Sequence, residues 1–327
     1  MGSETFTPDA GGETFTVVGL GELIWDMLPA GRRLGGAPTN FAYVSRLLGG
    51  GADTVAVASR VGRDALGREA LERLTRAGVS TEHVQIDATH PTGTVGVTLD
   101  AHGEANFNVN QNSAWDYLEW SAGWEELAAR ADAVCFGTLG QRAAQSRAVI
   151  ARFLHRTRPG ALRVFDVNLR HAFFDAAMLA ASLRLASVVK LGREELPLVA
   201  EMTGVGAGDD GDERATAERL ARAFDLRLVA VTRGARGSLL VTPTEAFEHT
   251  GFRVRVADTI GAGDAFAAAL VNRLLRHATL AEAGDAANRA GAWVTTQSGA
   301  TPDVDPADVP RILESVGPAR PIDDEPR

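Results

Sequence analysis

The sequence predicts an α/β protein in which helices cover both faces of a doubly wound, mainly parallel β-sheet. Two observations support this prediction: short runs rich in β-branched residues alternate with amphipathic segments, and the alternation continues through most of the chain. Such a rhythm is typical of parallel strands joined by helical crossovers. A third observation adds a smaller element, because two alternating runs between residues 92 and 109 predict a β-hairpin beside the main sheet.

The strands and helices are predicted from the spacing of their apolar residues. The strand candidates lie at 15–20, 54–58, 134–137, 164–167, 187–191 and 228–232. The helix candidates lie at 38–48, 65–77, 146–158, 175–186 and 214–224. We expect Gly49 and Gly78 to end the first two helices, Asp64 to cap the second, and the Gly/Asp-rich segment 203–212 to form a surface loop.

Composition and charge restrict the class of protein. The chain has 327 residues, 45% of them apolar and 23% charged, as in ordinary globular domains. No apolar run approaches the ~20 residues of a membrane span, and residues 1–14 contain no apolar core of a secretory signal. The net charge of −9 argues against general nucleic-acid binding, and the single Cys135 permits no disulfide within the chain. We expect a cytoplasmic protein with loose tails at 1–14 and 316–327.

The segment 258–266, Asp-Thr-Ile-Gly-Ala-Gly-Asp-Ala-Phe, is the strongest chemical signal. The small residues Gly261, Ala262 and Gly263 leave backbone N–H groups unshielded, and an apolar helical pattern follows at once. Free N–H groups at a helix N-terminus bind anions, including a phosphoryl group in transfer. Asp264 lies in the same turn and can accept the proton of an attacking hydroxyl.

The alternative interpretation of this segment is a glycine-rich turn with Asp264 as a helix cap. The sequence contains a control, because residues 206–209 repeat Gly-Ala-Gly-Asp without an apolar helix directly behind them. We interpret that copy as a loop and the copy at 261–264 as an anion-binding loop, since the helical context distinguishes them.

A second signal is the segment 35–42, Gly-Gly-Ala-Pro-Thr-Asn-Phe-Ala. Gly35 and Gly36 allow a small ligand to approach the backbone, and Pro38 is well placed to open a helix. Asn40 has both a donor and an acceptor and suits a polyol. Alone, this segment is also compatible with a common turn before a helix.

Together, the two segments resemble the two signature regions of the PfkB/ribokinase family of carbohydrate kinases, and they occur in the expected order. The resemblance extends through nearly all of the chain. It implies a ribokinase-like domain at 15–315, with lid strands around 25–34 and 92–110, and ATP-dependent phosphorylation of a sugar. It makes Asp264 the catalytic base, assisted by the anion loop and by Arg170.

The resemblance also implies the binding residues. On the sugar side, the segment 21–26 looks like the family's opening strand, which would make Asp26 a ligand of sugar hydroxyls beside Gly35, Gly36 and Asn40. The segment 166–170, Asp-Val-Asn-Leu-Arg, resembles a fructokinase motif that faces the substrate and phosphates, through Asn168 and Arg170. The implied ATP-side residues are Lys190, Glu195, Thr232, Gly234, Gly237 and Asn288.

The expected cations are Mg²⁺ and K⁺. Relatives carry Lys-x-Asn-x-x-Glu, whereas this chain reads Lys190-Leu-Gly192-Arg-Glu-Glu195, so Gly192 replaces the asparagine. Glu195 occupies the position that orders magnesium-bound water in those relatives. The positions that match their potassium site are Asp258, Ile260 and the surroundings of Gly299.

Other classes of protein fit the sequence less well. The segment 19–22 lacks the third glycine of a dinucleotide fingerprint, and no Gly-x-x-x-x-Gly-Lys-Ser/Thr occurs. A non-catalytic sugar-binding protein could keep Asp26 and Asn40 but would have no use for an acid behind an anion loop.

The substrate is open at this point. The motif at 166–170 favours fructose, but the arginine of common fructokinases near 106–111 is missing, so 2-keto-3-deoxygluconate, ribose and a nucleoside stay possible. A sugar phosphate fits an acidic chain poorly. The hairpin should close over the sugar, and a partner's hairpin would cover its edges, so we expect a homodimer.

Overall fold

The computed structural model of the chain describes residues 13–28, 31–49, 53–99, 105–170, 173–206 and 211–317. Most of both predicted tails and residues 207–210 of the predicted loop lie outside the described residues. Within these ranges the strands, in chain order, are β1 Thr16–Leu20, β2 Ile24–Leu28, β3 Gly31–Gly35, β4 Thr54–Gly62, β5 Val84–Asp87, β6 Gly93–Leu99, β7 Ala105–Val109, β8 Ala133–Gly137, β9 Leu162–Asp166, β10 Val188–Gly192, β11 Leu228–Thr232, β12 Ser238–Val241 and β13 Ala246–His249.

Helices follow β3, β4, β7, β8, β9 and β10, so strands and helices alternate over much of the chain, as the sequence predicts. The helices are α1 Ala37–Leu48, α2 Ala65–Arg76, α3 Ala122–Arg130, α4 Ala144–Arg156, α5 Ala176–Leu185, α6 Glu195–Met202, α7 Glu213–Ala223, α8 Ala262–Leu275, α9 Leu280–Thr295 and α10 Val309–Glu314. Asp64 caps α2 by accepting a hydrogen bond from the Gly67 N–H, and Gly49 ends α1. None of the helices in the described ranges combines the length and apolar character of a membrane span.

A nine-stranded sheet forms the centre of the fold, in the order β13-β12-β11-β10-β9-β8-β1-β4-β5. Its strands are parallel from β5 to β11, whereas β12 and β13 form an antiparallel edge. The predicted doubly wound, mainly parallel sheet is therefore confirmed. The strand order reverses between β8 and β1, and crevices for ligands form at such reversals, beyond the carboxyl ends of the strands.

Two apolar clusters cover the two faces of this sheet. One contains side chains of α1, α2, α8, α9 and α10, and the other contains side chains of α3 to α7. Successive residues of a strand point to opposite faces, so Val17 belongs to the first cluster and Val18 to the second. Helix α8 is buried from Asp264 to Val271, because it packs between α1 and α9.

A second sheet has four strands in the order β3-β2-β6-β7, and it contains the segments expected to form a lid; it is called the lid below. The predicted hairpin β6–β7 is present, and it is joined to the hairpin β2–β3 by parallel pairing of β2 with β6. The assignment of the segment 21–26 to the opening strand is wrong, because Asp26 lies on β2, within the range 25–34 where a lid strand was expected. The opening strand ends at Leu20, and Gly21, at a φ of 143°, takes the chain out of the main sheet.

The first turn of α1 packs directly on the backbone of β1. A Cβ at Gly19 would lie 2.0 Å from the carbonyl oxygen of Pro38, so only glycine permits this approach. The contact fixes the start of α1 relative to the centre of the sheet.

We expect Gly19→Ala to destabilise the fold by about 1–3 kcal/mol, because the added methyl group must displace the backbone of α1. Urea unfolding monitored by circular dichroism measures the change. Gly96→Ala is the matched control, since the nearest atom to its Cβ would be 3.9 Å away. Equal midpoints for the two variants would contradict the packing argument.

Candidate active site

The site lies at the carboxyl edge of the main sheet, beside the reversal of strand order. Glu22 follows β1, Asp166 ends β9 and Lys190 lies on β10. The N-termini of α1 and α8 meet at the same edge, because the Asn40 side chain of α1 contacts Asp264 of α8. Two helix N-termini and several carboxylates therefore share one region of the molecule.

The segment predicted as an anion-binding loop forms the N-terminus of α8. Gly261 is the N-cap residue and has a left-handed conformation with a φ of 78°. Among the described residues, no backbone acceptor is bonded to the N–H groups of Gly263 and Asp264. These groups are available to an anion, as the sequence predicts.

Asp264 and Asn40 are brought together across 224 residues of sequence. The Asn40 Nδ2 group donates a 2.8 Å hydrogen bond to Asp264 Oδ2, and both side chains are buried. Burial and the nearby Asp166 carboxylate raise the pKa of Asp264 to about 6, while Lys190, Asn40 and Arg170 oppose the increase. Asp264 is therefore mostly ionised at neutral pH and can accept a proton.

Lys190 and Asp166 form a buried ion pair beneath the anion loop. The Lys190 Nζ lies 2.9 and 3.0 Å from the two carboxylate oxygens of Asp166. Burial alone would lower the pKa of Lys190, but the carboxylates of Asp166 and Asp264 outweigh it and raise the pKa. A Cβ at Gly263 would lie 2.6 Å from this Nζ, so the loop approaches the ammonium group closely.

The residues predicted on the sugar side form a second group. The carboxylate of Asp26 lies against the backbone of Gly35, where a Cβ would approach its Oδ2 to 2.7 Å. Gly36, at a φ of 104°, is the N-cap residue of α1. Burial raises the pKa of Asp26 to about 6, although the positive charge of the exposed Arg170 lowers it. Arg170 also lowers the pKa of Asp264, so its charge acts on both carboxylates.

Glu195, rather than the exposed Glu194, points towards the strand ends. Its Oε1 accepts a 2.6 Å hydrogen bond from the Leu169 N–H, and its Oε2 accepts another of 2.6 Å from the Gly192 N–H. The preceding Asn168 has a left-handed φ of 38°, which is uncommon outside glycine. Glu195 thus joins the loop after β9 to the end of β10, at the place where the sequence departs from the family pattern.

The residues predicted on the ATP side also make structural contacts. Asn288 donates hydrogen bonds of 2.7 Å to Ser238 Oγ and to the Gly284 carbonyl, and Thr232 Oγ1 donates to the Leu191 carbonyl. A Cβ at Gly237 would lie 1.8 Å from the His249 carbonyl oxygen, whereas a Cβ at Gly234 would meet open space. The Gly237 conformation is therefore required by the turn itself.

Asp258 connects the two loops predicted to surround a monovalent cation. Its Oδ1 accepts a hydrogen bond from the Ile260 N–H, and its Oδ2 accepts one from the Gly299 N–H, at 3.0 and 3.1 Å. Among the residues that the structure describes, no cluster of three or more acidic, histidine or cysteine side chains could hold a metal ion. A cation at these loops would therefore depend on backbone carbonyls.

Glu22 is a site residue that the sequence reasoning did not single out. Its Oε1 accepts a 3.2 Å hydrogen bond from the Ala37 N–H, while its buried Oε2 has no partner within the described chain. Burial, with smaller contributions from Asp264 and Asp166, raises its pKa to about 7. Its position directly after a buried strand was the available signal.

Comparisons with known proteins agree with this geometry. The model of the pfkB family carbohydrate kinases matches residues 28–307. Fructokinase-1 of Oryza sativa subsp. japonica is 31% identical over 331 aligned residues, covering 93% of this chain and 99% of the rice protein. Fructokinase with bound ATP from Xylella fastidiosa has a TM-score of 0.76 at 26% identity, covering 91% of this chain and 98% of that one.

A further solved structure contains both a sugar and a nucleotide. Fructokinase from Vibrio cholerae O395, bound to fructose, ADP and calcium ion, has a TM-score of 0.73 at 29% identity and covers 88% of this chain and 95% of that one. The family match includes both predicted signature segments and most of the described residues. The chain therefore belongs to the pfkB family of carbohydrate kinases and is a sugar kinase.

Proposed function

We propose that the protein transfers the terminal phosphoryl group of ATP to a primary hydroxyl of a small sugar, and that this sugar is fructose, giving fructose 6-phosphate. The observation that supports it best is the position of Asp264: a buried, largely ionised carboxylate in the first turn of α8, where no backbone acceptor among the described residues is bonded to the N–H groups of Gly263 and Asp264. A base is thereby held beside an anion-binding loop, which is the arrangement that phosphoryl transfer requires.

In this mechanism each residue of the site has a separate role. Asp264 accepts the proton of the attacking hydroxyl, and the Asn40 amide holds the carboxylate in place. The N–H groups of Gly263 and Asp264 stabilise the charge that develops on the transferred group. Asp26, Gly36 and Asn40 Oδ1, which has no hydrogen-bond partner in the described part of the chain, bind the sugar hydroxyls. The exposed Arg170 neutralises charge at the phosphates.

The cofactors we propose are ATP and Mg²⁺. When bound, Mg²⁺ neutralises charge on the phosphate oxygens. Glu195 fits a role through water better than direct ligation, because both its oxygens already accept backbone hydrogen bonds and no metal-binding cluster exists among the described side chains. Thr232, Gly234, Gly237 and Asn288 would flank the nucleotide.

The choice of fructose rests on the relatives and on the motif at 166–170. The alternatives are 2-keto-3-deoxygluconate, ribose and a nucleoside. Asn108 lies in the region where common fructokinases carry an arginine. It pairs with Gly96 of β6, whereas Asp26 pairs with the preceding residue of β6, Val95, and successive residues of a strand point to opposite faces. It therefore lies on the lid face opposite to Asp26, away from the proposed sugar site.

We also propose that the protein is a homodimer formed through its lids. Strands β3 and β7 are the edges of the lid sheet, and Met27, on the lid face opposite to Asp26, is 41% exposed. A partner lid would cover both features.

We expect Asp264→Asn to lower kcat by about 10²–10⁴-fold, because the amide keeps the shape of the side chain but cannot accept the proton. Sugar binding should survive. Steady-state kinetics and calorimetric titration with the best sugar measure the two effects. Asp209→Asn is a control matched in sequence context, although Asp209 lies outside the described residues. A near-parental kcat in Asp264→Asn would remove this residue from its role.

The pH dependence provides a second check of the same base. Only the deprotonated carboxylate accepts a proton, so kcat at saturating sugar should fall as the pH drops through about 6, the pKa of Asp264. Residual activity of Asp264→Asn should lack this acid limb.

We expect fructose to give the highest kcat/KM in a panel that also contains 2-keto-3-deoxygluconate, ribose and adenosine. ATP consumption with product identification measures the preference. A higher value for another member would replace fructose but leave the kinase assignment intact. If no sugar or nucleoside stimulated ATP consumption, the proposed transfer reaction would be wrong.

We further expect modest activation by K⁺, since Asp258 holds the loops at 260 and 299 together where backbone carbonyls can surround a monovalent cation. Rates in potassium, sodium and organic-cation buffers of equal ionic strength test this expectation. Equal rates in all three would make these loops purely structural.

A further inference from the structure

Arg33, on strand β3 of the lid, makes an unusual contact for its position. It pairs directly with Asp26 across the antiparallel β2–β3 hairpin, so both side chains lie on the same face of the lid. Opposite charges in such a pair commonly interact with each other. Here, however, the charge that lowers the pKa of Asp26 is that of Arg170.

The Arg33 guanidinium instead reaches the loop after α9, 265 residues away in the sequence. Its Nη1 donates a 2.9 Å hydrogen bond to the Ser298 carbonyl oxygen, and its Nη2 donates one of 2.7 Å to Ser298 Oγ. Two parallel donors on a planar group fix orientation as well as distance, which a single ammonium could not do.

Gly299 makes room for this side chain. It has a φ of 87°, and a Cβ in its place would lie 2.7 Å from Arg33 Cδ. The Gly299 N–H also donates to Asp258 Oδ2, and Asp258 Oδ1 accepts from the Ile260 N–H. The loop that Arg33 holds is therefore bonded to the segment that leads into the anion loop.

Ala300, the residue after Gly299, contacts the anion loop directly. A Cβ at Gly261 would lie 2.3 Å from the Cβ of Ala300 and 2.7 Å from its Cα, so the two backbones touch. Gly261 is the N-cap residue of α8, three positions before Asp264. An unbroken set of contacts thus runs from the lid, through Ser298 to Ala300, to the loop that carries the base.

We propose that Arg33 is a positioning residue that couples the lid to the anion loop, so that closure of the lid over the sugar fixes the Gly261–Asp264 segment for phosphoryl transfer. This inference rests on the proposed sugar kinase reaction. In this proposal the effect of Arg33 on the rate passes through Ser298 and Ala300, and not through a contact with a reactant. Displacements of about 1 Å in a catalytic geometry can cost ~10²-fold in rate.

The neighbouring Arg32 offers a matched control. It lies on the same strand but on the other face of the lid, where it contacts Glu69 and lies over the Trp25 ring. Arg32→Ala removes the same charge and a similar volume from the same sheet without touching the loop at 298–300.

The kinetic test uses whichever sugar gives the highest kcat/KM in the panel. Arg33→Ala should lower kcat by ~10–10²-fold, and Arg32→Ala should change kcat less than about two-fold. Arg33→Lys should be intermediate, because an ammonium can replace one of the two donors. Added guanidinium chloride at millimolar concentration should restore part of the kcat of Arg33→Ala and leave Arg32→Ala unchanged. A purely structural role for Arg33 would raise the KM for the sugar without this rescue.

A second measurement does not depend on any sugar. Hydrogen exchange of the substrate-free protein should be faster in Arg33→Ala than in Arg32→Ala at peptides covering residues 296–301, where the Gly299 N–H is bonded. Faster exchange together with a lower, guanidinium-rescued kcat supports the coupling. Unchanged exchange overturns it, and so does faster exchange with an unchanged kcat. Absence of turnover with every sugar would instead reject the proposed reaction. The hydrogen-exchange rates at residues 296–301 would still decide whether Arg33 holds the loop at 298–300.

Discussion

The ammonium group of Lys190 balances the negative charge that this site concentrates in a buried region. It lies within 3.0 Å of both Asp166 oxygens, and its charge opposes the increase in the pKa of Asp264. A buried charge that loses its partner destabilises a fold by about 3–5 kcal/mol. The ends of β9 and β10 and the loop before α8 must therefore keep fixed positions. The positions of Asn40 and Gly263 depend on this charged group as well. Asn40 is hydrogen-bonded to Asp264, and Gly263 packs against Lys190.

Much of the fold could be predicted, and the failures have physical causes. Strands β1, β9, β10 and β11 are largely buried on both faces, so each contains adjacent apolar residues instead of a strict apolar–polar alternation. Strands β12 and β13 have only four residues each, and the antiparallel pairing of β12 with β11 follows the turn that ends at Gly237. The segment 21–26 was assigned to the opening strand through the family resemblance, whereas Gly21 takes the chain out of the main sheet and Asp26 lies on β2 of the second sheet.

The site could be predicted where its chemistry is local. The anion loop and the start of α1 have sequence signals because a few adjacent residues determine their conformation, as Gly261 and Gly36 do. Contacts between distant segments leave no such signal. The elevated pKa of Glu22 arises from burial by several elements, and the bonds from Arg33 to Ser298 join opposite ends of the chain. Charge and residue type identify candidates for such roles, but only the folded arrangement shows which groups meet.

The hydrogen bond between Asn40 and Asp264 also bears on how the protein is made. Because synthesis proceeds from the N-terminus, α1 and the centre of the sheet emerge from the ribosome well before α8 exists. During that interval the apolar surface of α1 that later contacts α8 is exposed to solvent, so the unfinished chain is prone to aggregation. Chaperone demand should therefore be concentrated in this interval. The same order means that an incomplete chain lacking α8 does not yet carry Asp264, the proposed base.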